Sequence, residues 1–443
     1  MSGDPSGGPG GGAPEHRGGS AHVTAQAGRP RPAWQSLDSA QLLLIAAAGM
    51  LIIASVTQVG AVGLEDSRTA ILFGALIAIG ELLRMIMPGS REVAPIASAG
   101  SVGYALLLRV GSEPATHSAF QAVTVTACGT LIGALPHIAV GRIPALDAMA
   151  RRVLSPALVA FVFRPIGTSS LQHHWPLLIT VMVLTVMFAC AAEMVTAATI
   201  RAEAVRTRFA IAFGDEIRAK VPLCAASGAT GILIAVSTFV MGPVALLVFS
   251  APILVTQVAF RRFAGIRATY LQTVRALSQV TEVGGYVEAG HSRRVSELAV
   301  QMGRELGMNE EALLELEYAA LMHDIGQLSL RDPIPGGATV LASPSEQRRI
   351  AGLGANVITE TGVLNEVAEI VRRQSEPYRA AEGSAPPLAS RVIKVANAYD
   401  DLVGASSDRD RSAAVLERLR GDSAAEYDPT VVEALGHVVD RMR

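Results

Sequence analysis

Residues 41–60 read QLLLIAAAGMLIIASVTQVG, twenty residues without a charged side chain, and they open a series of apolar runs that decides the fold class. A helix needs roughly 20 such residues to cross the hydrocarbon core of a bilayer. Eight runs follow one another, at 40–63, 69–88, 94–110, 118–140, 146–165, 175–200, 222–241 and 244–260, the last two joined as a hairpin across Met241-Gly242-Pro243. The composition agrees. Half of the 443 residues are hydrophobic and 17% are charged, against about 25% charged in an ordinary soluble domain. The expectation is an all-α chain with a polytopic helical membrane domain over 40–262, of about eight helices. Cys128, Cys190 and Cys224 all lie in apolar stretches, which excludes a disulfide scaffold.

Orientation follows from the basic residues in the connections. Arg17, Arg29 and Arg31 precede the first run, and Arg84 and Arg91 flank the loop after the second. Arg142, Arg151 and Arg152 follow the fourth, Arg201, Arg206, Arg208, Arg218 and Lys220 crowd the loop after the sixth, and Arg261, Arg262 and Arg267 follow the eighth. The alternate connections, around Glu65-Asp66, Glu113 and His173-His174, are not enriched. The expectation is a multi-pass protein of the cell membrane with both termini cytoplasmic. Residues 1–36, rich in Gly, Pro and Ser, cannot bury enough apolar surface to offset chain entropy and read as a disordered tail. Lys220 and Lys394 are the only lysines, which with abundant Ala and Gly suggests a high-GC bacterial genome.

Beyond residue 263 the character changes. The first 263 residues carry a net charge of +5 and the remainder −7, so the C-terminal part is a poor partner for DNA or RNA. Helical periodicity replaces the apolar runs. Leu271, Val274 and Leu277 share one side of a connecting helix over 264–285, which either packs on its own domain or forms the stalk of a parallel homodimer. Asn309-Glu310-Glu311-Ala312 reads as a capped helix start leading to Leu321.

Only His291, His323 and His437 lie in this region. His323-Asp324, ending a helix, can offer an imidazole nitrogen and a carboxylate oxygen to one divalent ion, and a distant His can add a third ligand. Taken with its surroundings, the pattern resembles the HD superfamily of metal-dependent phosphohydrolases, most of all its HD-GYP branch, whose members hydrolyse cyclic di-GMP. The likeness runs in order through Gly290-His291-Ser292, Ala319-Ala320-Leu321-Met322-His323-Asp324-Ile325-Gly326, Arg391 to Asp400 and Glu426-Tyr427-Asp428-Pro429. It implies an all-α domain over 286–443. It also implies a divalent metal (Fe, Mn or Zn) at His291, His323 and Asp324, with Asp324 the catalytic candidate, and a nucleotide or cyclic dinucleotide as ligand.

The departures are equally specific. Asn397 stands where the family has its last metal-binding Asp, Gln327 where a Lys is usual, Ile350 where a His is usual, and Gln374-Ser375 in place of paired histidines. The Gly-Tyr-Pro loop is replaced by 382–387. Three histidines are too few for a His-rich centre of two or three metals. Asn397 can still act as a neutral oxygen donor, Asp400 as a substitute ligand one turn on, and Glu282 as a further site residue or a solvated one. In the membrane half, Glu81 has Arg84 one turn away and reads as an ion pair, Glu193 lacks a local partner, and His173-His174-Trp175 reads as an interfacial anchor. Three functions compete: a membrane-anchored signalling protein with a metal-poor pseudoenzyme output, an active metal phosphohydrolase, and a transporter with a regulatory domain.

Overall fold

A computed structural model describes residues 39–443 except 88–90, 143, 168–173, 206, 332–333, 335–336, 363, 380–384, 405–407 and 443. The tail expected over 1–36 and His173 fall outside the described residues. Each of the eight apolar runs forms a helix: α1 (Ser39–Val62), α2 (Ser67–Leu82), α3 (Pro95–Leu106), α4 (Ala119–Ala139), α5 (Leu146–Gly167), α6 (Trp175–Val205), α7 (Phe209–Met241) and α8 (Val244–Val283). Five are long and apolar enough to cross a membrane, namely Ser39–Val62, Ala119–Ala139, Trp175–Ala204, Phe209–Met241 and Val244–Arg262. The other three fall short for different reasons. Helix α2 has 16 residues, α5 carries Asp147, Arg151, Arg152 and Arg164, and α3 has 12. Twelve residues rise about 18 Å, well under the hydrocarbon thickness.

The run at 69–88 is not helical to its end. Met85–Met87 pairs as β1 with Arg91–Val93, β2, in a short hairpin, and Arg109–Val110 and Glu113–Pro114 pair as β3 and β4 after α3. Helix α3 is nearly all buried, between α2, α5 and α7. Arg218 and Lys220, expected in a loop, lie within α7, which begins at Phe209.

Contacts sort the connections into two ends. At one end Arg84 donates to the Arg142 carbonyl (3.0 Å), Arg152 reaches Glu92 (3.2 Å), and Arg261 donates to the Arg84 carbonyl (2.7 Å). At the other, Gln121 joins the Glu65 carbonyl to the Tyr104 hydroxyl, and Gly111 N donates to the Thr238 carbonyl. Residues 91–111 therefore run from one end to the other although only 12 of them are helical. The basic connections gather at the first end. Glu81 is fully buried there and pairs with Arg152 as well as Arg84 (3.7 Å), so its expected ion pair is part of a larger set. Glu193 finds its partner on another helix, Lys220 of α7, at 3.6 Å.

Helix α8 continues without a break from its membrane run through Val283, so the connecting helix is not a separate element. Seven more helices follow: α9 (His291–Glu305), α10 (Glu310–Met322), α11 (Pro344–Thr359), α12 (Asn365–Arg372), α13 (Leu388–Val403), α14 (Arg409–Gly421) and α15 (Pro429–Met442). They enclose one core in which Met302, Leu316, Val371, Ile393 and Leu435 are fully buried or nearly so. Val274 of α8 belongs to that core, which supports packing on its own domain, while Leu277 is partly exposed and Leu271's side chain is outside the described residues. Asn309 caps α10 by accepting from Ala312 N, as its sequence predicts.

Small residues set the helix spacing in the membrane half. A Cβ at Gly80 would collide with the backbone nitrogen of Ala97, and one at Gly133 with the carbonyl of Ala78. Backbone atoms cannot rotate away. Gly80→Ala should therefore destabilise the protein by about 1–3 kcal/mol or more. Gly49→Ala, with open space around its α1 position, should be neutral or slightly stabilising. Thermal melts of the two variants in detergent would check the contrast.

Candidate metal centre

Three helices bring the site together. Gly290, at φ 79°, turns the chain into α9 so that His291 is its first residue. Helix α10 ends at Met322, and the chain then leaves helical geometry through Asp324 into a 3-10 turn, Ile325–Ser329. That break lets adjacent His323 and Asp324 face the same point. Gly326 is required next to them, because a Cβ there would strike the Ile350 carbonyl of α11. Helix α13 supplies Asn397, Asp400 and Asp401.

The structure brings all four sequence-predicted ligands together. His291 Nε2 and His323 Nε2 lie 3.3 and 3.2 Å from Asp324 Oδ2, and 3.3 Å from one another. Asn397 Oδ1 is 3.0 Å from His323 Nε2. His291, His323 and Asp324 are all buried, and Asp324 Oδ2 has no hydrogen-bond partner. Each donor is also oriented from behind. His323 Nδ1 donates to the Ala320 carbonyl (2.8 Å), which leaves its Nε2 facing the centre. His291 Nδ1 bonds Asp400 Oδ2 (2.8 Å), and Arg294 holds that carboxylate with two bonds of 2.9 Å. Asn397 Nδ2 donates to Thr339 Oγ1 (2.9 Å) and Asp401 Oδ2 (3.4 Å), which turns its oxygen inward.

An orphaned buried carboxylate oxygen with two imidazole nitrogens and an amide oxygen around it fits a single divalent ion. His291, His323, Asp324 and Asn397 would hold it, and when bound it would polarise a phosphoryl oxygen or acidify a water. Asp400 is not a substitute ligand. It faces the outer nitrogen of His291 and positions that ring. Glu282 lies in the last turn of α8, partly exposed, and is not among the converging residues. Gln374 supports His323 by donating to its carbonyl (2.7 Å), and Ile350 is buried beside the site. Sequence reasoning missed Asp401, Thr339 and Arg294. Asp401 alone left a signal, one helical turn beyond Asn397.

Next to the four donors lies a cavity of about 220 Å³, lined among others by Gln347, Gln374, Lys394, Arg418 and Tyr427. Lys394 donates to the Glu376 carbonyl (2.9 Å) and pairs with Glu426. Glu426 lines the same cavity, so its rim carries both signs of charge, with Arg418 and Lys394 as the groups that could meet an anionic ligand.

A model of the HD domain family matches residues 289–402. Residues 289–402 are an HD domain. The chain is 27% identical over 175 residues to the cyclic di-GMP phosphodiesterase response regulator RpfG of Xanthomonas campestris pv. campestris, covering 36% of this chain and 46% of that one. It is 24% identical over 179 residues to a cyclic di-GMP phosphodiesterase of Thermotoga maritima, covering 37% and 48%. The chain thus spans about half the length of the curated relatives it matches. The HD domain follows an N-terminal half whose apolar helices fit a membrane domain.

Electrostatics in the HD domain follow from burial against charge. Burial works against protonation of His291, but Asp324 and Asp400 outweigh it and raise its pKa to about 10. The same carboxylate raises His323, again against burial. Burial, reinforced by Asp324, lifts Asp401 to about 6 even though His291 pulls it down. With its folded pKa above the unfolded value of 6.5, protonated His291 stabilises the metal-free chain fully below about pH 6.5, and that contribution is lost as pH rises through about 10. Thermal melts in chelator should fall between these limits, and His291→Gln should flatten the slope.

Proposed function

We propose that this is a membrane-anchored signalling protein whose HD domain binds a nucleotide phosphodiester, of the cyclic di-GMP class, at a weakened single-metal site. The observation that carries the reading is the fourth ligand position. There an amide oxygen of Asn397 approaches His323, so the ligand set has one carboxylate charge instead of two. A less negative set binds a divalent cation less tightly. Around it, Ile350, Gln374 and Ser375 offer no imidazole or carboxylate for a second ion. The output is then a ligand-bound state of the domain, and turnover is slow or absent. The names of the relatives point to cyclic di-GMP, and Arg418 and Lys394 on the cavity beside the cluster can meet its phosphates.

The alternative is an active metal phosphohydrolase, favoured by the convergence of four oriented donors. Under either reading the protein sits in the cell membrane, with about eight passes, five of them on helices long and apolar enough to cross by themselves, and both termini on the cytoplasmic, basic side. The gathering of the basic connections at one end supports this. A homodimer is supported by exposed Ile266, Leu277, Val280 and Val283 on α8, and the net acidity of the C-terminal part speaks against a nucleic-acid partner.

Besides the continuous helix α8, an electrostatic link joins the halves. Arg91 of β2 and Arg201 of α6 both pair with Glu310, the first residue of α10, and Asp215 of α7 accepts from Glu310 N (3.3 Å). The far end of α10 carries His323 and Asp324. A shift among the membrane helices therefore moves the helix that presents two of the four metal donors.

Two measurements test the reading on the purified full chain. Elemental analysis and competition with a metal indicator should show weak binding of about one Fe, Mn or Zn per chain, lost in His323→Ala. Asn397→Asp should tighten it on the order of tenfold or more. Chromatography of cyclic di-GMP after incubation should show retention with little cleavage by the natural chain, and faster cleavage by Asn397→Asp. Rapid cleavage by the natural chain would favour the hydrolase, and no nucleotide retention would overturn the ligand assignment.

A further inference from the structure

The antiparallel seam between α6 and α7 can be followed rung by rung. A Cβ at Gly228 would lie 2.6 Å from Val186 Cγ1, so the missing side chain lets the two helices close here. Four residues further along α6 and four earlier on α7, Cys190 and Cys224 occupy the next rung and line the same small cavity. The next rung is Glu193 with Lys220, 3.6 Å apart. The two thiols line a small cavity of about 70 Å³ together with Ser155 and Ser227. Both are half-buried, whereas the third cysteine, Cys128 on α4, is exposed and does not line it.

We propose that Cys190 and Cys224 are an oxidisable dithiol, converted by a hydroperoxide into a disulfide that links α6 to α7. One thiolate sulfur attacks a peroxide oxygen, the O–O bond breaks, and an alcohol or water leaves, giving a sulfenic acid. The second thiol displaces the hydroxyl as water and the S–S bond forms. Overall, two thiols and one hydroperoxide give one disulfide, one alcohol and one water. Metal capture by the same thiols is disfavoured. The third donor within reach, Glu193, is engaged by Lys220, and among the described residues only His291, His323 and Asp324 converge as a metal-type group. Closure is local, because a disulfide spans Cα atoms about 4.4–6.8 Å apart and the glycine rung already brings the helices together. On the proposed topology, in which the basic end faces the cytoplasm, such a bond would be transient and reversible.

The test uses the full chain in lipid nanodiscs, in a Cys128→Ser background, reduced, freed of reductant and exposed to hydrogen peroxide. Remaining thiols are then blocked with maleimide and the chain is digested without reduction for mass spectrometry. The expected product is a single linked peptide pair containing Cys190 and Cys224, reversed by dithiothreitol, in a chain that stays monomeric on a non-reducing gel. Cys224→Ala should leave Cys190 as a sulfenic acid that a dimedone probe traps. Two thiols still open to maleimide after peroxide would overturn the proposal, as would irreversible oxidation without a link or a disulfide between separate chains. Since the decisive result comes from native Cys190 and Cys224, a poorly folding Cys224→Ala variant leaves it intact.

Discussion

Four lone-pair-bearing atoms, two imidazole nitrogens, a carboxylate oxygen and an amide oxygen, meet in a buried space in the C-terminal half, and they repel one another unless a positive charge lies between them. Either protons on the histidines or a divalent cation can supply it. The raised pKa of both rings and the orphaned oxygen of Asp324 are two expressions of that single demand. Much of the surrounding architecture serves to hold the atoms there. The Gly290 turn starts α9 at His291, the 3-10 turn lets His323 and Asp324 point together, and α13 places an amide opposite them with its nitrogen tied to Thr339 and Asp401. Arg294 neutralises Asp400 from outside, so the carboxylate that steers His291 is not itself left uncompensated.

The same helix that presents His323 begins at the membrane half. Glu310 accepts two arginines there, and Arg91 continues to Glu216 (2.6 Å), which meets Lys220 (3.2 Å). Charged side chains in partly buried surroundings are costly unless paired, so this row of alternating charge resists being pulled apart at any one link. It ties the position of α10 to that of α6, α7 and the β1–β2 hairpin. The two halves are thus joined at α10 by a row of ion pairs, with no loop in between.

Legibility in the sequence followed the physics of each feature. Apolar runs reveal helices because burial of side chains is a local, additive property, and all eight appeared. Their ends were less legible. Met85 and Met87 look as apolar as any membrane residue yet pair as a strand, and the charged start of α7 looked like a loop because its partners, Arg91 and Glu310, lie far away in sequence. The metal-type residues were readable because the His-Asp pair, uninformative by itself, sits in a run of residues that carries a family pattern. Orientation of the donors was not, since the roles of Asp400, Asp401 and Thr339 depend on which face of α13 meets α9. Glu193 looked partnerless for the same reason, its Lys220 being on a neighbouring helix.

Helix α8 is 40 residues long, about 60 Å from end to end, and only its first part, to Arg262, has the composition of a membrane run. The remainder passes directly into the core of the HD domain through Val274. No flexible tether separates the two, so the domain cannot tumble freely at the end of a leash. Its cavity keeps one fixed bearing toward the lipid surface, and any large partner must approach from the directions that the bilayer leaves open. The domain is held at two points, by α8 itself and by Glu310 against Arg91 and Arg201, so a rotation of α8 about its own axis would have to break those pairs before it could turn the domain.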